Sequence, residues 1–220
     1  MISDFVDISI YFAIVMGIAP LLILFFRNVS SRYYSLIKAI KPYLWLLLIG
    51  SLYELIVTTI LEIPSGFWFT LYTYLEFLTL WYFFRKLLPK TLQVFSYVLI
   101  LLITLGFLLV LFNWRIDIHQ LLEAYIVVPI SVFVFTYVFV WCRELFKRDE
   151  LVSLWQMPDF YFLSGLFIYF SVGVLASLLI YELGKVTGIF SKYWIVFVVV
   201  SIIMRIMMII GVIKATAKKP

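Results

Sequence analysis

Long apolar runs separated by short polar stretches set the pattern of this chain. Seven runs reach the roughly 20 residues a helix needs to cross a bilayer. They fall at about 5–26, 43–63, 67–84, 92–112, 121–141, 160–181 and 193–212. Ile63-Pro64-Ser65-Gly66 signals a turn between the second and third runs, and Asn113-Trp114-Arg115 separates the fourth from the fifth. Pro89 and Pro158 lie at run boundaries, where a missing N–H costs little. The runs are solid instead of alternating in ten-residue segments, which argues for helices and against a barrel. The expected fold is all-α: one polytopic transmembrane domain of seven helices over residues 1–220.

Composition makes the membrane reading firm. Hydrophobic residues form 65 % of the 220 residues, charged residues 13 %, and the mean hydropathy is +1.14. A soluble domain is roughly half apolar and about a quarter charged, and could not hide this much apolar surface from water. The net charge of +5 matters through its placement. Arg27, Arg32, Lys38 and Lys41 lie around the first connector, Arg85, Lys86 and Lys90 in the third, and Arg143, Lys147 and Arg148 in the fifth. Lys214, Lys218 and Lys219 follow the last run. The alternate connectors hold only Arg115, Lys185 and Lys192. The positive-inside rule then places the N-terminus outside and the C-terminus in the cytoplasm. Trp45, Trp68, Trp81, Trp114, Trp141 and Trp194 stand near run ends, as an interfacial belt requires. Asp4 and Asp7 occupy the place of a positive leader region, so the first run is expected to stay in the membrane. No soluble domain is expected beyond short termini. Cys142 is the one cysteine, which excludes an intrachain disulfide.

Three charges interrupt the apolar runs: Glu54, Glu76 and Arg205. Each costs about 2.5–3.5 kcal/mol at a bilayer centre even on lenient scales, so each calls for a reason. At 1.5 Å per residue, Glu76 and Arg205 lie roughly 12 Å from the inner ends of their helices and Glu54 roughly 18 Å. Glu76 and Arg205 thus lie level, and Glu54 sits about one helical turn further out, within reach of a long arginine side chain. One reading is a charged centre that binds a polar ligand, relays protons or switches between two arrangements. The other is an Arg205–Glu76 pair that only holds helices three and seven together. One arginine cannot neutralise two carboxylates, which favours the first. Glu76→Gln is expected to be more disruptive than Glu54→Gln. Tyr72 shares a helix face with Glu76, and Tyr169 with Gly173. Hydroxyls such as Ser51, Thr58, Thr59, Thr73 and Thr79 either line a cavity or bond between helices. The small pairs Ala13/Gly17 and Gly173/Ser177 predict close helix contacts.

Other chemistry is thin. Asp117, His119 and Glu123 are near in sequence, but without a second histidine or a cysteine they make a poor metal set, and acids favour a helix start anyway. No metal or cofactor is expected. Lys192 and Lys214 only flank the last run, which leaves no lysine for a retinal Schiff base. The sole histidine is at a surface, unsuited to an intramembrane serine protease. Neither a phosphate-binding glycine loop nor a zinc-type HExxH occurs. Asn28-Val29-Ser30 fits a glycosylation sequon on the expected cytoplasmic side, where it would not be used. Cys142, at an inner helix end, is a lipidation point or an inert thiol.

Two resemblances bear on function. Pro20 and Pro129 sit inside the first and fifth runs, and Phe67-Trp68 and Tyr193-Trp194 open the third and seventh. That spacing resembles the 3+1+3 arrangement of SWEET and PQ-loop transporters, although Leu21 and Ile130 stand where the glutamine of a Pro-Gln pair would be. Leu71-Tyr72-Thr73-Tyr74-Leu75-Glu76-Phe77, closed by Tyr82-Phe83-Phe84-Arg85-Lys86, resembles the third span of small seven-helix proteins common in Bacteroidota. Asp159-Phe160-Tyr161-Phe162-Leu163-Ser164-Gly165, followed by Ile168-Tyr169-Phe170-Ser171, resembles their sixth. Arg205 departs from the uncharged polar residues of their last span. The resemblance implies a bacterial inner-membrane protein found beside sensor histidine kinases. The expectation is a non-enzymatic sensor or signalling module. It would bind a small or lipidic ligand near Glu54, Glu76, Arg205, Tyr72 and Tyr169, and would act through a partner such as a histidine kinase. The basic stretch 143–150 is the expected docking surface. The alternatives are a small-solute transporter and, third, a lipid enzyme using Glu54, Glu76 and Glu123 as acid–base groups.

Overall fold

A computed structural model describes residues 2–63, 66–87, 93–112, 119–147, 153–183 and 190–217. Seven long helices account for nearly all of them, and no strand occurs among the described residues. They are α1 (Ile2–Phe26), α2 (Tyr34–Tyr53), α3 (Gly66–Leu87), α4 (Gln93–Phe112), α5 (His119–Phe146), α6 (Pro158–Leu183) and α7 (Phe190–Thr216). Stretches long and apolar enough to cross a membrane occur at Ser31–Ile60, Val94–Phe112, Ile126–Phe146, Pro158–Leu175 and Val196–Thr216, with a shorter one at Tyr11–Phe26. Helix α3 is absent from that set because Thr70, Tyr72, Thr73, Tyr74, Glu76 and Thr79 dilute it. This is the architecture of a multi-pass membrane protein.

Helix bounds differ from the apolar runs mainly at the basic ends. Helix α2 starts at Tyr34, behind a 3-10 turn at Ser31–Tyr33, not at residue 43. Hydropathy marks only the apolar centre of a span. The helical backbone runs on through the interface, where Lys38 and Lys41 stand exposed on long stems. The other end of α2 widens into a π-helical stretch, Glu54–Ile60. Leu61 N–H donates to Ile56 O at 3.0 Å and Ile63 N–H to Val57 O at 3.0 Å. The second bond spans one residue more than the usual left-handed helix stop, as a widened turn requires. Glu62 supplies the left-handed residue, with φ 53°.

The helices pack in chain order and α7 returns against α1, closing a ring. The α6–α7 and α1–α7 seams are the most extensive. Helix α3 also reaches past α4 to α5 through Phe77–Phe133 and Phe84–Tyr137 ring contacts. Helix α4 lies outermost: Val94, Val98, Leu101, Leu105, Leu108 and Phe112 are exposed, while Ile103, Phe107 and Val110 form its narrow inner seam. Such outward apolar faces are a liability in water and normal in lipid.

The basic residues gather at one end of the ring. Ser30 N–H donates to Ala215 O at 3.1 Å, which ties the α1–α2 connector to the end of α7. Trp141 Nε1 donates to Asp159 Oδ2 at 3.1 Å, joining the end of α5 to the start of α6. Arg85 lies over the rings of Trp81 and Tyr97 at 5.3 and 5.4 Å, joining α3 to α4. Pro20, Pro42 and Pro129 lie inside helices, and of the two that suggested a repeat Pro20 is buried and Pro129 exposed. At Gly173 an added Cβ would meet no described atom within 4 Å, and the side chain of its expected pair mate Ser177 lies outside the described residues. The small residues that let helices approach are Gly17, Gly50, Gly165 and Gly211.

Candidate functional site

Inside the ring, α2, α3 and α7 bring together the charges that the apolar runs left unexplained. Glu76 is 4 % exposed and Arg205 8 %. They do not form an ion pair. Among the described residues no carboxylate oxygen lies within 4.0 Å of the Arg205 guanidinium. The Arg205–Glu76 pair, one of the two alternatives the sequence left open, is therefore not formed, and Glu76 is engaged by a tyrosine instead. Tyr43 Oη donates to Glu76 Oε1 at 3.0 Å and lies 3.8 Å from Met204 Sδ. Arg205 still acts electrostatically on Glu76, Glu54 and Tyr72, so the group is one centre without direct contact.

Arg205 is held in a slot made by a missing side chain. A Cβ on Gly17 of α1 would overlap Ser51 Oγ and stand 3.5 Å from Arg205 Cζ. At this point α1 approaches α2 so closely that any side chain on residue 17 would strike Ser51 Oγ. Arg205 Nε and Nη1 are buried and have no hydrogen-bond partner, and neither has Ser51 Oγ. Three polar atoms on two helices therefore converge on one place with nothing to bond. Buried polar atoms are normally paired, so each such orphan calls for a ligand, a water or a second conformation.

Glu54 begins the π-helical stretch, and Thr59 Oγ1 donates back to its carbonyl at 3.0 Å. π-turns cluster at functional positions because they re-aim side chains. Beside Glu54, Tyr53 stacks on Trp68 at 4.2 Å between centroids, and Trp68 meets Tyr72 at 6.1 Å. The Cε2 edge of the Tyr72 ring abuts Gly50, so α2 and α3 approach closely here. Tyr169 of α6 packs on Phe170 at 5.2 Å and is within electrostatic range of Tyr43. Most hydroxyls near Glu76 do not line a cavity. Thr70, Thr73 and Thr79 donate to carbonyls of their own helix, and Tyr74 pairs with Thr104 and stacks on Phe107 of α4.

The sequence named Ser51 only among several hydroxyls and Gly17 only as a helix contact, and it did not single out Tyr43. With α2 starting at residue 43, Tyr43 reads as an interface aromatic. With α2 starting at Tyr34, the series Tyr43, Leu47, Ser51 and Glu54 forms one helix face. The side chains of His119 and Glu123, and residue Asp117, lie outside the described residues. Among the described residues no cluster of three metal-ligating groups occurs. Cys142 is half-buried and free.

Compared with protein-family models, curated proteins and solved structures, the chain matches none.

Proposed function

We propose that the chain is a receptor-like module of a bacterial cytoplasmic membrane, with its N-terminus outside and its basic end in the cytoplasm. It binds a small or lipidic ligand in the Arg205 slot between α1, α2 and α7, and passes the resulting helix shift to a cytoplasmic or membrane partner. The family resemblance names a histidine kinase as that partner. The observation that carries the reading is the buried guanidinium with two unpartnered nitrogens, set apart from two carboxylates within electrostatic range. A charge at this depth without its partner is costly. The ring thus has two competing arrangements, one with Arg205 paired to its own acids and one with Arg205 open to a ligand. A ligand that favours one arrangement shifts the populations by its difference in affinity for the two. The gathering of basic residues at one end supports the orientation.

Purification of the tagged chain from native membranes in gentle detergent, read by mass spectrometry, tests this. Stoichiometric recovery of a kinase or another signalling protein, weakened by Arg205→Gln, is the expected result. Recovery of the chain alone overturns the partner half of the reading.

One observation favours a second reading as a small-solute transporter. The centre draws on α2 and α3 from the first three helices and on α6 and α7 from the last three, as a site between two rocking bundles does. Solute flux in proteoliposomes, abolished by Glu76→Gln, would establish it.

A further inference from the structure

A second polar site lies far from the charge centre, at the basic end of the ring. The 3-10 turn and the first turns of α2 meet the last turn of α3 around a cavity of about 210 Å³. Its lining combines the polar Arg32, Ser35 and Lys86 with the apolar Leu36, Ala39 and Leu87. Both cations are steadied from behind by tyrosine rings: Arg32 Cζ lies 5.4 Å from the Tyr33 centroid and Lys86 Nζ 5.9 Å from that of Tyr82. No carboxylate pairs with either cation among the described residues. Two unpaired cations from different helices therefore face one small cavity with a hydroxyl beside them.

We propose that this cavity binds the phosphate headgroup of an anionic membrane lipid. An anion answers the two cations, and phosphate offers acceptors for both and for the Ser35 hydroxyl. The cavity is smaller than the usual small-molecule pocket and of the right order for a headgroup. Its apolar wall and its place at a helix end select the lipid over a free anion, because the acyl chains continue along Leu36 and Leu87. Phe25 and Phe26, 70 % and 85 % exposed at the nearby end of α1, form the aromatic edge of the same interface. The site does not depend on the charge centre or on which leaflet this end faces.

Native mass spectrometry of the purified full chain, with phosphatidylglycerol or phosphatidylcholine added, tests the proposal. Wild type is expected to retain one phosphatidylglycerol in preference to phosphatidylcholine. The double variant Arg32→Gln/Lys86→Gln should lose that preference by about tenfold or more. Lys38→Gln/Lys41→Gln removes equal charge from the same end without touching the cavity, and should lose much less. Ser35→Trp blocks the mouth while keeping both cations, and should lose retention with an unchanged unfolding temperature. Equal loss in the two charge-matched pairs overturns the site in favour of general surface attraction. Displacement of the lipid by inorganic phosphate overturns the lipid as its source. Unchanged retention in the cavity variants overturns it altogether.

Discussion

Among the described residues the Tyr43–Glu76 hydrogen bond is the one that ties a buried acid of the centre to another helix, so single substitutions there are informative. Tyr43→Phe removes the donor and keeps the ring. Hydrogen bonds between membrane helices average about 0.6 kcal/mol and reach roughly 1.7. A loss of about 1 kcal/mol is expected, read as a lower unfolding temperature in detergent, and a loss near zero would mean that Glu76 finds another donor. Glu76→Gln should lower stability more than Glu54→Gln, since Glu76 is engaged by Tyr43 and nearly fully buried while Glu54 is only partly so. Glu62 makes the opposite case. It holds φ 53° without being glycine, a conformation that L side chains adopt at a cost. Glu62→Gly should raise stability by about 0.5–1 kcal/mol in the same assay. The two acids and the arginine were legible in the sequence because a charge in an apolar run is conspicuous. Tyr43 was not, because a tyrosine near the end of an apolar run reads equally well as an anchor at the interface, and only the true start of α2 moves it inward.

At the level of elements, α1 owes its place to one missing methyl group. Gly17→Ala should displace Ser51 Oγ and press α1 a few tenths of an ångström off Ser51 Cβ, a loss of about 1 kcal/mol at the low end of overpacking costs. Ser51→Ala removes the Oγ that a new methyl would strike, leaving Ser51 Cβ 3.2 Å away, so the double variant should recover much of the loss. Additive losses in that double-mutant cycle would mean that α1 does not rest on Ser51 at all. Gly173→Ala is the contrasting control. No described atom lies within 4 Å of the added methyl, so it should be neutral or stabilising by up to about 1 kcal/mol from helix propensity alone. The sequence spacing put both glycines in small-residue pairs, and only Gly17 is in a contact too close for a side chain. A small-xxx-small pair says that close approach is allowed. Which face meets another helix depends on the packing of all seven. The same limit explains the π-helical stretch: nothing in Glu54-Leu55-Ile56-Val57 departs from ordinary helix-compatible residues, and the widening shows only in the backbone bonds.

For the whole molecule, hydropathy alone delivers the number and rough position of the helices, because bilayer thickness fixes their length. It does not deliver the ring. That α7 closes on α1, that α4 stands outermost and that α3 reaches α5 depend on which faces carry aromatic and small residues. Orientation is the global property that rests on charge alone, and it can be tested on the intact fold. In a Cys142→Ala background, Ser35→Cys places a thiol at the basic end and Leu61→Cys places one beyond the π-helical end of α2; both native side chains are exposed. A membrane-impermeant thiol reagent added to intact cells should label Leu61→Cys at once and Ser35→Cys only after the membrane is opened. The reverse pattern would put the basic end outside, against the positive-inside rule. It would also remove the cytoplasmic surface through which a receptor of this shape would have to act. Labelling of both sites in intact cells would show that the two ends of α2 lie on one side, and α2 would then not be a span.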